Sequence, residues 1–129
     1  MSEWLKKGAA QGDANCQFTL GVMAINRRDY EDAMTWLQRA AAQGNAPAQD
    51  KIGIMYRDGL GVPQDNVQAY MWFTLAANIS GQFFTPLRDN LGLKMTPAEI
   101  EDAKRRAAEW KPVVKRKART LDEPEGLLS

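Results

Sequence analysis

Small and bulky apolar residues recur every three or four positions through most of this chain, in blocks separated by glycine-containing breaks. That spacing puts them on one face of a helix. It predicts six or seven helices and no sheet, over residues 2–11, 13–26, 29–43, 45–58, 65–80, 84–95 and 96 to about 115. The breaks have local causes. Gly12 and Gly44 suit the left-handed conformation that stops a helix, and Asp13 and Asn45, which come next, suit the N-cap of the following helix. Gly59-Leu60-Gly61-Val62-Pro63 reads as a loop. Asp65 with Gln68 resembles a capping box, and Thr96-Pro97-Ala98-Glu99 is a stronger one, with Pro at the first helical position.

The blocks repeat. Ala33-Met34-Thr35-Trp36-Leu37-Gln38-Arg39-Ala40-Ala41 returns 36 positions later as Ala69-Tyr70-Met71-Trp72-Phe73-Thr74-Leu75-Ala76-Ala77. Ala10-Gln11-Gly12-Asp13-Ala14 returns 32 positions later as Ala42-Gln43-Gly44-Asn45-Ala46, Leu20-Gly21-Val22-Met23 returns as Ile52-Gly53-Ile54-Met55, and Trp4 returns as Trp36. A period in this range marks stacked supersecondary units, each burying its apolar face against the next. The first unit is shorter because residues 24–29 stand where the second has 56–65, a loop, where length change is best tolerated. Gly21 and Gly53 fall in mid-helix, where Gly costs about 1 kcal/mol against Ala. Their recurrence predicts a close approach of a neighbouring helix, with Leu20, Ile52, Trp36, Trp72 and Tyr56 filling the remaining volume.

Composition narrows the function. The 129 residues hold 17 basic and 16 acidic side chains, a net charge of +1, no His and one Cys. Balanced charge argues against a globally basic nucleic-acid binder. The absence of His removes the commonest metal ligand and near-neutral acid–base group. A lone Cys16 forms no internal disulfide and reads as a small buried hydrophobe. No apolar stretch approaches the roughly 20 residues of a membrane span, and residues 1–7 lack a secretory core, so a cytoplasmic location is expected. No nucleophile–base pair, phosphate loop or metal-ligand spacing is visible. Glu99, Glu101 and Asp102 are accounted for by capping and a solvated face. Neither catalysis nor a cofactor nor a small-molecule substrate is therefore expected.

Ala46-Pro47-Ala48, Ile52-Gly53-Ile54-Met55-Tyr56, Gly59-Leu60-Gly61-Val62-Pro63-Gln64-Asp65, and then Ala69, Trp72, Ala76 and Ala77 resemble a Sel-1-like repeat, a helical repeat related to tetratricopeptide repeats. Residues 13–36 resemble a second copy with its loop deleted. Residues 73–110 are similar to the C-terminal capping segment of bacterial members, including Leu87-Arg88-Asp89 and Lys94-Met95-Thr96-Pro97. The resemblance implies a bacterial protein with an all-α fold. Its form would be a right-handed α-solenoid of antiparallel helix pairs, with two repeats between N- and C-terminal capping helices. The expected domain is 1–117, with repeats at about 13–43 and 45–80 and a variant capping unit at 82–117, followed by a tail at 118–129. Some secreted relatives carry paired cysteines and have been discussed as penicillin-binding or β-lactamase-like; those cysteines are absent here, and that activity is not carried over. Two departures stand out. Asp50 takes the place that Phe18 holds in the first unit, and Ser80-Gly81-Gln82 replaces the Gly-Asn/Asp junction.

The resemblance implies an adaptor, assembly factor or regulatory subunit that binds a partner protein or peptide. In the related tetratricopeptide arrangement the first helix of each pair lines the concave face. A stripe at i, i+3, i+7 spacing then gives Asn15, Phe18 and Val22, next Pro47, Asp50 and Ile54, and last Gln82, Thr85 and Asp89. Two alternatives stand beside that groove. One is an immunity-type protein that neutralises a single toxin or enzyme. The other is nucleic-acid or anionic-membrane association through the basic run Lys111, Lys115, Arg116, Lys117 and Arg119, against which the same residues read as the solvated end of a helix. Open solenoid ends or exchange of the tail would also allow a homo-oligomer.

Overall fold

The computed structural model describes residues 2–81 and 85–111. These form seven helices: α1 (Ser2–Ala10), α2 (Ala14–Asn26), α3 (Tyr30–Ala42), α4 (Ala46–Asp58), α5 (Asn66–Ser80), α6 (Thr85–Gly92) and α7 (Pro97–Glu109). No strand occurs among the described residues. From α1 to α5 each helix packs on its neighbours in sequence, and α5 then carries both α6 and α7. This is an all-α solenoid, closed at one end by two helices laid on α5.

The helices begin where side-chain caps place them. The carboxylate of Asp13 accepts from the backbone N–H groups of Asn15 and Cys16, and the side chains of Asp29, Asn45 and Asp65 accept from Asp32, Ala48 and Gln68. Thr96 and Glu99 form the complete capping box, each side chain bonded to the other's backbone N–H. At Asp65 only half of a box forms. Its own N–H already donates to the carbonyl of Tyr56 at 2.9 Å, so a reaching Gln68 has nothing to bind. The shortened loop between α2 and α3 has no glycine, and Arg28 takes the left-handed conformation there, at φ 65°.

Two expected helices are shorter than their pattern. The segment expected over 84–95 is helical only to Gly92. After it, Lys94 and Met95 bond to Leu91 and Gly92, three residues back, and the helix tightens into a turn. The last helix ends at Glu109, not near 115. Trp110 is extended (ψ 138°) and Lys111 precedes Pro112, a position that disfavours helix.

The main core draws on helices α2 to α7. Phe73, Leu37, Ile52 and Met55 are fully buried, among a bed of alanines. Gly21 and Gly53 serve the predicted close approach. A Cβ on Gly53 would stand 2.5 Å from the Phe73 ring, and one on Gly21 would stand 2.7 Å from Leu37. The tryptophans divide, against the expectation that Trp36 and Trp72 fill equivalent space. Trp72 is buried and meets Trp110 of the closing segment edge to face, with centroids 5.7 Å apart. Trp36 is half-buried beside a small second cluster of Ala9, Cys16 and Leu20, with the Arg39 guanidinium over its ring, and Trp4 is 73% exposed. Position within a unit is the same, but α7 packs chiefly on α5.

A repeated polar link ties consecutive units together. Gln17 and Gln49 are buried, and each donates its side-chain amide to a carbonyl eight residues earlier, Ala9 and Ala41, at 3.1 Å in both cases. In the first unit the oxygen of Gln17 is satisfied by the amide of Gln43 at 2.9 Å. The residue 36 positions after Gln43 is Ile79, which lies against the turn at Gly44 and offers no donor. The Gln49 oxygen accordingly lacks a hydrogen-bond partner. Ile79→Gln is expected to supply it and to raise stability by about 1 kcal/mol. Urea denaturation checks this, and a stability equal to or below wild type would mean that the oxygen is already satisfied by solvent.

Candidate functional site

Helix α4 buries Ala48, Gln49, Ile52, Gly53 and Met55 against its neighbours. Its opposite stripe runs through Pro47, which is exposed, and Asp50 and Ile54, which are half-buried. Helix α2 is built alike, with Cys16, Gln17, Leu20, Gly21 and Ala24 inward, Asn15 exposed, and Phe18 and Val22 half-buried. Asn45, the cap of α4, donates its side-chain amide to Asn15 at 3.4 Å, which ties the starts of the two stripes together. Phe18 and Ile54 lean on the core with one side and leave the other uncovered; Val22 stands outside both buried clusters.

The third predicted stripe is less complete. Thr85 is half-buried at the start of α6, which packs on α5. Asp89 is exposed and paired with its neighbour Arg88 at 3.2 Å. Gln82 lies outside the described residues. Of the basic run, Lys111 is exposed, and Lys115, Arg116, Lys117 and Arg119 lie outside the described residues.

Asp50 has an unusual setting. One carboxylate oxygen, Oδ1, is inaccessible to solvent and has no hydrogen-bond partner. Burial pushes the carboxyl above the usual carboxylate range, against the opposing pull of Lys51 and Arg57, the charged groups that act on it. Arg57 lies seven residues on, but its guanidinium is committed to Asp58, at 2.9 and 3.0 Å, and that pair holds the Asp58 carboxyl below its ordinary value. The raised carboxyl fixes a sign. The folded chain holds its proton to higher pH than the unfolded chain does, so ionised Asp50 lowers stability. Asp50→Asn is expected to melt higher than wild type near neutral pH, with the gap closing as pH falls through the raised value toward that of a free carboxyl. Thermal melts across that window check it; a gap unchanged with pH would show that the carboxyl's charge is not its cause.

Cys16 is buried against α1, where its Sγ lies 2.6 Å from the place a Cβ on Gly8 would take. Burial, with the nearby Asp13 carboxylate, pushes its thiol up, as befits a packing residue and not a nucleophile. Among the described residues, no group of three or more His, Cys, Asp or Glu side chains could hold a metal ion, and no helix is long and apolar enough to cross a membrane.

The family model of the Sel1 repeat matches residues 3–13, 20–45 and 46–79, together more than half of the chain. The chain belongs to the Sel1-repeat family. A solved structure with the same architecture is that of c5321, described as a protective antigen present in uropathogenic Escherichia coli strains and displaying an SLR fold. It shares 34% identity over 82% of this chain, with a TM-score of 0.79. This chain spans only 24% of that longer one. No curated protein matches the chain. Within the Sel1-repeat match, Val22, Pro47, Asp50 and Ile54 fall in matched segments, whereas Asn15 and Phe18 lie between two of them. Sel1 repeats are in general protein–protein interaction modules. The glutamine link of this Sel1-repeat chain is not predicted by its apolar pattern; its one trace in the sequence is the recurrence of Gln17 as Gln49 at the same 32-residue offset.

Proposed function

We propose that this Sel1-repeat chain is a non-catalytic adaptor, assembly factor or regulatory subunit that holds a partner protein or peptide along the outward stripes of α2 and α4. The observation that carries this reading is the contrast between the two sides of those helices. One side is spent on packing, while the other leaves Phe18, Val22 and Ile54 half-covered between polar residues. Partly exposed apolar side chains with polar neighbours are the usual anatomy of a recognition surface.

Affinity capture from the native host, with Val22→Lys/Ile54→Lys bait in parallel, tests it. The wild type is expected to retain a partner in near-stoichiometric amount, and the double variant to lose it by at least about tenfold while keeping its helical circular dichroism. Equal capture by both baits would remove the stripe from the interface. Collapse of the helical signal would assign these side chains to the core instead.

A further inference from the structure

We propose that Asp50 is the charge-selecting residue of this groove, and that the segment it receives presents a Lys or Arg side chain among apolar neighbours. The inference rests on the groove reading above and deepens it.

Three observations on α4 converge. First, Ile54 on α4, with Phe18 and Val22 on the matching stripe of α2, accompanies a carboxylate whose Oδ1 has no hydrogen-bond partner; Lys51 and Arg57 pull on it, but neither forms an ion pair with it among the described residues. The nearest candidate on the same stripe, Arg57, donates through Nε and Nη2 to Asp58. Arg88 and Asp89 on α6 likewise pair with each other. Arg57 and Arg88 are thus each paired with a neighbouring aspartate, Lys51 acts on Asp50 without bonding to it, and Asp50 itself makes no ion pair among the described residues.

Second, its two oxygens differ. Oδ1 is sealed and unbonded, while the side chain as a whole remains partly exposed, so the carboxylate is desolvated on one side and approachable on the other. A carboxylate in that state gains more from an incoming cation than a fully hydrated one does, because less water must be removed to make the pair. The neutral and anionic alternatives fit less well. An apolar side chain would complete the burial of an ionised group, and an acidic one would meet a like charge.

Third, the corresponding position of the first unit is Phe18. The backbone site thus accepts a bulky apolar side chain that leans on the core. An aspartate there gives up that packing and carries a raised carboxyl pKa. A cost in the free protein that a cationic partner relieves is the signature of a specificity residue.

A random peptide library displayed on phage, selected against the full chain, supplies the probe. Binders to the wild type are expected to be enriched in Lys or Arg within apolar surroundings. As synthetic peptides, they should lose about tenfold in affinity when that residue becomes norleucine. Asp50→Asn should erase the preference between the two peptides, and Asp50→Lys should turn the selection toward Asp or Glu; circular dichroism confirms the fold of each variant. Peptides that bind the wild type and are lost with Val22→Lys, but show no preference for a cation, overturn the assignment of Asp50 and leave the groove standing. Binders indifferent to Val22→Lys, or no binders, overturn both. Displacement of the selected peptides by a synthetic peptide of residues 111–119 would make the chain's own basic segment the occupant and overturn the assignment to a partner.

Discussion

Trp72→Ala is expected to remove about 3–5 kcal/mol of stability, whereas Trp36→Ala, the same change at the same place in the preceding unit, is expected to remove about 1–2 kcal/mol. Trp72 is 5% exposed and lies among Tyr70, Met71, Phe73 and Leu75 in the main core. Its loss leaves a cavity on α5 and also strips Trp110 of its edge-to-face partner, a contact that holds the end of α7. A domain of this size has only about 5–15 kcal/mol in total, so the variant should unfold at a small fraction of the wild-type urea concentration. Trp36 is partly open to solvent, and its contact with Arg39 is a surface cation–π pair. Urea titrations followed by far-ultraviolet circular dichroism separate the two. Equal losses would mean that α3 is covered as fully as α5.

Gly53→Val should be the other severe change, costing roughly 3 kcal/mol or more. The added Cβ would lie 2.5 and 2.6 Å from two carbons of the Phe73 ring and 3.2 Å from the carbonyl oxygen of Ala69. Phe73 is fully buried. Helix propensity works the other way, because Gly is worth about 1 kcal/mol less than Ala in mid-helix, but the overlap is the larger effect. A cycle with Phe73→Leu tests the cause. If the ring is the obstacle, Gly53→Ala should cost less in the Phe73→Leu background than in the wild type. A stabilising Gly53→Ala would show that α4 and α5 stand further apart than they do here.

How far the fold is legible in the sequence depends on the range of the forces involved. Helix starts depend on a cap and the N–H groups two or three residues away; Asp13, Asn45 and Thr96 cap as their local pattern predicts, Asp65 caps but forms only half of its expected box, and Asp29 caps a helix expected to begin at that residue. The mid-helix glycines are legible for a related reason, since an unfavourable residue repeated at one register needs a neighbour to justify it. The partial exposure of Trp36 is not legible. A repeat assigns position within a unit, but a further layer over that position comes from other helices, and only α5 has α6 and α7 laid upon it. The groove shows the same division. The exchange of Phe18 for Asp50 is plain in the sequence, whereas the sealed oxygen depends on how the folded chain closes over it and on Arg57 being bonded to Asp58.

The order of packing sets the order in which the molecule opens. Helix α1 rests chiefly on α2, whereas α5 is gripped by α4, α6 and α7. Detaching α1 breaks essentially one interface, and detaching α5 breaks three, so the work of opening climbs from α1 to α5 as in a row of coupled links. Amide hydrogens of α1 therefore exchange ahead of those in α2 to α5, and a protease cuts α1 before it cuts them. The outward face of α4 lies well inside the resistant part, and it keeps its shape through fluctuations that release the first helix altogether.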